Sequence, residues 1–196
     1  VTIVFKRDEE LLEFDIIRKP ISSTIYSQLL EDGIGYLEIN SFGESTAREA
    51  KNELLAMRSL GMKKLIIDVR DNGGGYLHAL NDIASLLLDK DQVIIAQEDV
   101  TGAINKTFAT GDKIGGIEEV VVLINENSAS ASEVLAIALR DNLNSELVGT
   151  KTYGKGTVQT FIPLDQRTFS QDEYGALKVT IQKFYRINGG STQLRG

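Results

Sequence analysis

The chain has 196 residues, 42% of them apolar and 25% charged, a size and balance suited to one globular domain with a sizeable core. It has no cysteine and one histidine, His78, which excludes disulfides, thiolate catalysis and thiolate zinc sites and leaves a single imidazole for any Ser-His-Asp triad. A net charge of −7 argues against nucleic acid, which rewards clustered Lys and Arg.

The chain starts at Val1 inside an alternating pattern, which reads as a cropped fragment. Val1, Ile3 and Phe5, a polar turn at Asp8-Glu9-Glu10, then Leu12, Phe14 and Ile16 predict a β-hairpin. A strand pair this small is not stable by itself. Pro20 marks a boundary, followed by Ser22 and Ser23. A second hairpin is expected over 25–30 and 35–39, turning at Asp32-Gly33.

The middle of the chain alternates between strand and helix patterns. Thr46 with Glu49 reads as a capping box, and Ala47, Ala50, Leu54 and Met57 line one helical face until Gly61 ends the helix. Leu65 to Val69 is a near-continuous apolar run, as expected of a strand covered on both faces. The glycine loop Asp71-Asn72-Gly73-Gly74-Gly75 then leads into a helix expected over 76–88. Residues 93–96 and 103–108 read as peripheral strands. Val120 to Ile124 is the second buried-strand pattern, and even such apolar runs fall far short of the ~18 residues of a membrane-spanning helix. It runs through Asn125-Glu126-Asn127-Ser128 into a helix with Val134, Leu135, Ala138 and Leu139 facing inward. A basic, glycine-containing loop covers 151–156, and strands are expected over 157–162 and 177–184.

Two strand–loop–helix units stand out, because parallel α/β sheets bind ligands beyond the carboxyl ends of their strands. Gly73-Gly74-Gly75 is either a tight turn or an anion or oxyanion site with open access to its amides. It matches neither phosphate-loop pattern, G-x-x-x-x-G-K-[ST] or G-x-G-x-x-G. Ser130-Ala131-Ser132-Glu133 reads first as a capping box, with small neighbours that leave room for a substrate. A serine nucleophile needs a base. His78 sits in a helix pattern, where a surface or packing role is the ordinary reading, and no serine has S-x-x-K spacing. Lys155 lies between Gly154 and Gly156. It reads either as a solvated loop lysine or as an amine that Tyr153, Val158 and Phe161 desolvate into a base.

Together these segments resemble the carboxyl-terminal processing proteases, serine endopeptidases with a Ser-Lys active site and a PDZ domain. The matching stretches are Asn127 to Glu133, Gly149 to Gln159, Asp68 to Gly75 and Tyr36 to Phe42. The resemblance implies an α/β core of the Clp protease/crotonase-like fold, with stacked β-β-α units. It implies Ser130 as nucleophile, Lys155 as general base and Gln159 as the residue orienting the amine. The oxyanion hole would use the backbone amides of Ala131 and Gly74. Asp141 matches an acidic position that supports the site in some members, while Ser128 and Ser132 look like packing residues. Gly73 stands where the family usually has proline. Residues 1–19 look like the C-terminal strands of a truncated PDZ domain, and 20–196 like the catalytic core. No metal, nucleotide or other cofactor is implied. Protein or peptide substrate C-termini are the implied partners, with a homo-oligomer left open, and the family's habit points outside the cytoplasm. Two alternatives use the same fold: a crotonase-like acyl-CoA enzyme, which would not need Lys155, and a catalytically silent binding domain.

Overall fold

The computed structural model describes residues 2–8, 10–17, 23–164 and 175–196. Pro20 and Ser22, with the expected domain boundary, and Glu9 of the first turn lie outside the described residues. Strands β1 (Thr2–Arg7) and β2 (Glu10–Asp15) pair antiparallel as a separate two-stranded sheet. Their register sets Ile3 opposite Phe14 and Phe5 opposite Leu12, and the Phe5 and Phe14 rings meet edge to face at 5.9 Å. Both rings remain half exposed.

The main sheet has the order β3-β4-β5-β8-β9. β3 (Ile25–Leu29) and β4 (Ile34–Ile39) form the expected hairpin, turning with Asp32 and Gly33 at φ 58 and φ 70. β5 (Lys64–Asp68), β8 (Glu119–Ile124) and β9 (Glu146–Gly149) continue the sheet in parallel with β4. Parallel neighbours need long crossovers. Helices α1 (Thr46–Ser59), α2 (Leu77–Ser85) and α3 (Ala131–Leu143) lie in those crossovers. The strand β9 was not expected from sequence; four residues are too few to show a period.

Burial along β4, β5 and β8 alternates instead of covering both faces equally. Leu37, Ile39, Leu65, Ile67, Val120 and Val122 point into the core, while Tyr36, Glu38, Ile66, Val121 and Leu123 are half-buried. A continuous apolar run thus overstated how fully the second face is covered. Helix α1 buries Ala50, Leu54 and Met57 as its spacing predicts. It ends in a glycine cap: Gly61, at φ 96, donates to Arg58 O, and Met62 N reaches Met57 O, each at 3.0 Å. The Thr46–Glu49 capping box does not form. Ser45 is the N-cap, Thr46 is buried and donates to Ser41 O, and Glu49 accepts from Thr24 N at 3.2 Å. Glu49 accepts from Ser45 at the helix end and from Ser23 and Thr24, and so clamps α1 to the residues that lead into β3. Helix α2 is shorter than expected and closes in turns over 86–88.

A second sheet has the order β10-β11-β6-β7 and is antiparallel throughout. It contains β6 (Val93–Asp99), β7 (Ile104–Phe108), β10 (Thr157–Pro163) and β11 (Ala176–Tyr185). Strand β6 is not peripheral: Ile94 and Ile95 join the main core. Helix α3 packs on β8 and β9 of the main sheet and on β6 of the second, where Asn142 Nδ2 donates to Val93 O at 3.0 Å. One helix therefore ties both sheets together.

Asp68, the last residue of β5, is buried and satisfied. Arg70 forks onto it, with Nη2 at 2.6 Å and Nε at 3.0 Å, and Tyr36 donates its hydroxyl at 2.7 Å. Burial and the Asp68 carboxylate push the Tyr36 hydroxyl up to about 12. Burial also opposes the charge on Asp68, but the bonds from Arg70 and Tyr36 outweigh it and hold the carboxyl below its usual range. A carboxyl held low in the fold favours folding above ~3.9, and that contribution disappears as pH falls through its folded value. Asp68→Asn is expected to destabilise the protein by about 1–3 kcal/mol at pH 7, because Arg70 is half exposed and screens the pair. Denaturant melts of both proteins should converge as the pH is lowered from above ~3.9 through the folded value of Asp68; a gap unchanged from pH 7 throughout that acid range would contradict the assignment.

Candidate active site

The loops after β5 and β8 meet because these strands are parallel neighbours. They are joined by a dense set of bonds. Asp71 Oδ1 accepts from Asn125 Nδ2 and Asn127 Nδ2 at 2.9 and 2.7 Å, bonds that hold its carboxyl below the usual range. Ser128, fully buried, donates Oγ to Val69 O at 2.7 Å. Asn72 O accepts from Ala129 N at 3.0 Å and from Ser132 Oγ at 2.8 Å. Ser128 and Ser132 are thus structural hydroxyls, as the sequence reading had them.

Ser130 differs from both. It is half-buried, and its backbone sits at φ 58, ψ −113, where an ordinary N-cap would be extended. Residues with a Cβ rarely adopt this conformation, and such strain clusters at functional sites. A serine on a sharp strand-to-helix turn lifts its hydroxyl clear of the backbone. The next amide, Ala131 N, opens α3 and finds no acceptor among the described residues.

The glycine loop passes directly behind Ser130. A Cβ added to Gly74 would lie 2.9 Å from Ala129 O, 3.0 Å from Ser130 Cβ and 3.1 Å from Ala131 N, and Gly74 has φ 102. Glycine is required there both for the backbone angle and for the approach. The Gly74 amide is engaged: it donates to Asn72 Oδ1 at 2.8 Å. Asn72, fully buried, anchors itself by Nδ2 on Ile39 O. Gly73 meets no atom that would exclude a side chain and lines the adjacent cleft.

That cleft has a volume of about 640 Å³ and includes Gly73, Ala129, Lys155, Thr157 and Gln159. Thr157 and Gln159, two apart on β10, face it on one side of the strand, and Lys155 reaches it from the loop before β10. Opposite Val158 and Gln159 the register shifts, because β11 carries an extra residue, Ile181, between Thr180 and Gln182. Lys155 is half-buried and Gln159 exposed. Of the neighbours expected to cover the amine, Tyr153 lines the cleft beside Lys155 but is 68% exposed, and Phe161 is 66% exposed. Val158 packs on the core instead.

Glu133 is the functional residue that sequence reasoning undervalued. The expected reciprocal cap forms on its side, with Ser130 N donating to Oε2 at 2.8 Å. The same oxygen accepts Lys155 N at 2.9 Å, while Oε1 accepts Gly154 N at 2.8 Å and Thr152 Oγ1 at 2.7 Å. One buried carboxylate therefore fixes the backbone of Ser130 to the backbone of Lys155. The S-x-x-E pattern carried the cap, but nothing local announced the reach to the later loop.

Asp141 lies away from the cleft and forms a forked pair with Arg186, at 2.6 and 3.0 Å. His78 is an exposed helix-face residue, stacked on Tyr76 at 5.2 Å and 3.3 Å from Glu44. Among the described residues no cluster of His, Cys, Asp and Glu is arranged to hold a metal ion.

The family model for Peptidase family S41 matches residues 33–196. Carboxyl-terminal-processing peptidase 3, chloroplastic, of Arabidopsis thaliana is 37% identical to this chain over 84% of it and 31% of its own length. Carboxy-terminal processing protease CtpA of Bacillus subtilis is 33% identical, covering 85% of this chain and 34% of its own. The structure of the photosystem II D1 C-terminal processing protease superposes with a TM-score of 0.76 at 26% identity, over 94% of this chain and 49% of that one. The chain spans about a third of the length of the curated relatives it matches.

Removing the Glu133 carboxylate would leave four donors without an acceptor around a side chain that is 1% exposed. Glu133→Ala is therefore expected to destabilise the protein by roughly 3 kcal/mol or more, and Glu133→Gln by less, as read from urea melts.

Proposed function

This chain belongs to peptidase family S41, and we propose that it is the catalytic core of a serine endopeptidase that cleaves protein substrates near their C-termini. Ser130 Oγ attacks the scissile carbonyl carbon, and Lys155 Nζ takes the hydroxyl proton. The tetrahedral oxyanion accepts from the Ala131 amide. Gly74 supplies a second amide once its peptide turns from Asn72 Oδ1 towards the substrate. Collapse breaks the C–N bond, and Lys155 returns the proton to the leaving amine. Water then attacks the acyl-enzyme, giving its proton to Lys155, and as the ester bond to Ser130 breaks Lys155 passes that proton to the departing Oγ, restoring the hydroxyl and the free amine. Gln159 orients the amine.

The observation that carries this reading is the shared Glu133 oxygen, which receives Ser130 N at 2.8 Å and Lys155 N at 2.9 Å. Nucleophile and base thus stand on backbone segments locked to one atom. The strained backbone of Ser130 and the free Ala131 amide add support, as does the family membership. In this reading residues 1–19 are the closing strands of a PDZ-like docking domain and 20–196 are the core. Substrate C-termini are the partners, and the site works on the extracytoplasmic side of a membrane or within an organelle.

Ser130→Ala and Lys155→Ala, each in the full chain, should lower peptide cleavage by at least about 10³-fold. Both should abolish labelling by a fluorophosphonate. Unchanged cleavage in either variant would sink the assignment.

A further inference from the structure

The backbone of Gly154, Lys155 and Gly156 is satisfied group by group. The three amides donate to Glu133 Oε1 at 2.8 Å, Glu133 Oε2 at 2.9 Å and Gln193 Oε1 at 2.8 Å. The three carbonyls accept from Leu194 N at 2.8 Å, Thr192 Oγ1 at 3.4 Å and Phe184 N at 3.0 Å. Half of these partners come from residues 192–194.

The two glycines make room for that segment. A Cβ on Gly156 would stand 2.7 Å from Ser191 Oγ and 2.8 Å from Gln193 N. A Cβ on Gly154 would stand 3.2 Å from the amides of Leu194, Arg195 and Gly196, and the residue has φ 87. The pattern Gly-Lys-Gly is thus explained by close passage of another stretch of backbone on both sides of the lysine.

The segment is itself anchored. Thr192 is 5% exposed, and its carbonyl accepts from Arg195 N at 2.8 Å and Gly196 N at 3.1 Å, closing a turn. Ser191 Oγ donates to Phe184 O at 3.3 Å, at the end of β11. The preceding turn closes with Arg186 N on Gly190 O at 2.7 Å, and Arg186 forks onto Asp141 of α3. Helix α3 therefore reaches the lysine loop twice. Its first turn does so directly through Glu133. Its third turn does so through Asp141, Arg186 and the segment.

We propose that residues 192–194 are a strap that positions the general base, with Gln193 as its main positioning residue, acting on Lys155 through the Gly156 amide. The proposal rests on the reading of Lys155 as base. Lysine has a long, flexible stem, so its amine can be aimed at a serine hydroxyl only if the backbone that carries it is fixed. The strap fixes the side of the loop that Glu133 does not reach.

The test is Gln193→Leu in the full chain, beside Thr192→Val as a gentler change at a buried position. With a peptide substrate, kcat should fall about 10- to 100-fold for Gln193→Leu; Gln193 also lines the cleft, so the readout that separates positioning from substrate contact is amide exchange. Amide hydrogen exchange at Gly156 should rise, whereas exchange at Ser130 and Ala131 should not. Gln193→Glu, which keeps an acceptor oxygen, should restore the slow exchange at Gly156. Thr192→Val should lower kcat in the same direction by a smaller factor. If Lys155→Ala is inactive but Gln193→Leu and Thr192→Val keep wild-type kcat, the strap is disproved while the base assignment survives. If Lys155→Ala is fully active, the base assignment itself has failed.

Discussion

A single carboxylate organises the candidate active site of this molecule. Glu133 is three residues into α3 and buried, with four donors aimed at two oxygens. Buried charge is costly unless it is fully hydrogen-bonded. Here that requirement becomes a positioning device, because the donors needed to satisfy the carboxylate belong to two different segments. Satisfying Glu133 brings the start of the helix and the lysine loop to one place. The chain needs no covalent link or metal for this; the geometry follows from saturating an acceptor.

The rest of the site depends on where β5 and β8 end. These strands are parallel and adjacent, so their loops emerge side by side and can exchange hydrogen bonds. Asn72 exploits this most fully. Its side chain bonds to Ile39 O behind it and to the Gly74 amide ahead, while its carbonyl holds Ala129 and Ser132. The glycine loop thereby has a set distance from the serine. Helix α3 extends this order outward, since it touches both sheets and carries Glu133 near its start and Asp141 near its end.

Much of this was legible in the sequence. The apolar runs at 65–69 and 120–124 gave the central strands, and the helical faces of α1 and α3 were read correctly. What failed was long-range choice. Thr46-x-x-Glu49 and Ser130-x-x-Glu133 are the same local pattern, yet only the second makes its backbone cap. Glu49 instead finds donors at Ser23 and Thr24, which come from a distant strand edge. The pairing of β11 with β6 was equally hidden, because residues more than 80 apart leave no periodic trace of their register.

The backbone of Ser130 has an evolutionary consequence. At φ 58 and ψ −113 any residue with a Cβ is strained, and glycine is not. Backbone strain alone would therefore favour glycine at this position, at the cost of the hydroxyl. A copy of the gene released from selection for chemistry would shed that strain by losing the hydroxyl first. In a degenerate paralogue, glycine at position 130 would mark relief of strain as well as loss of the proposed nucleophile, and the fold around it would be kept.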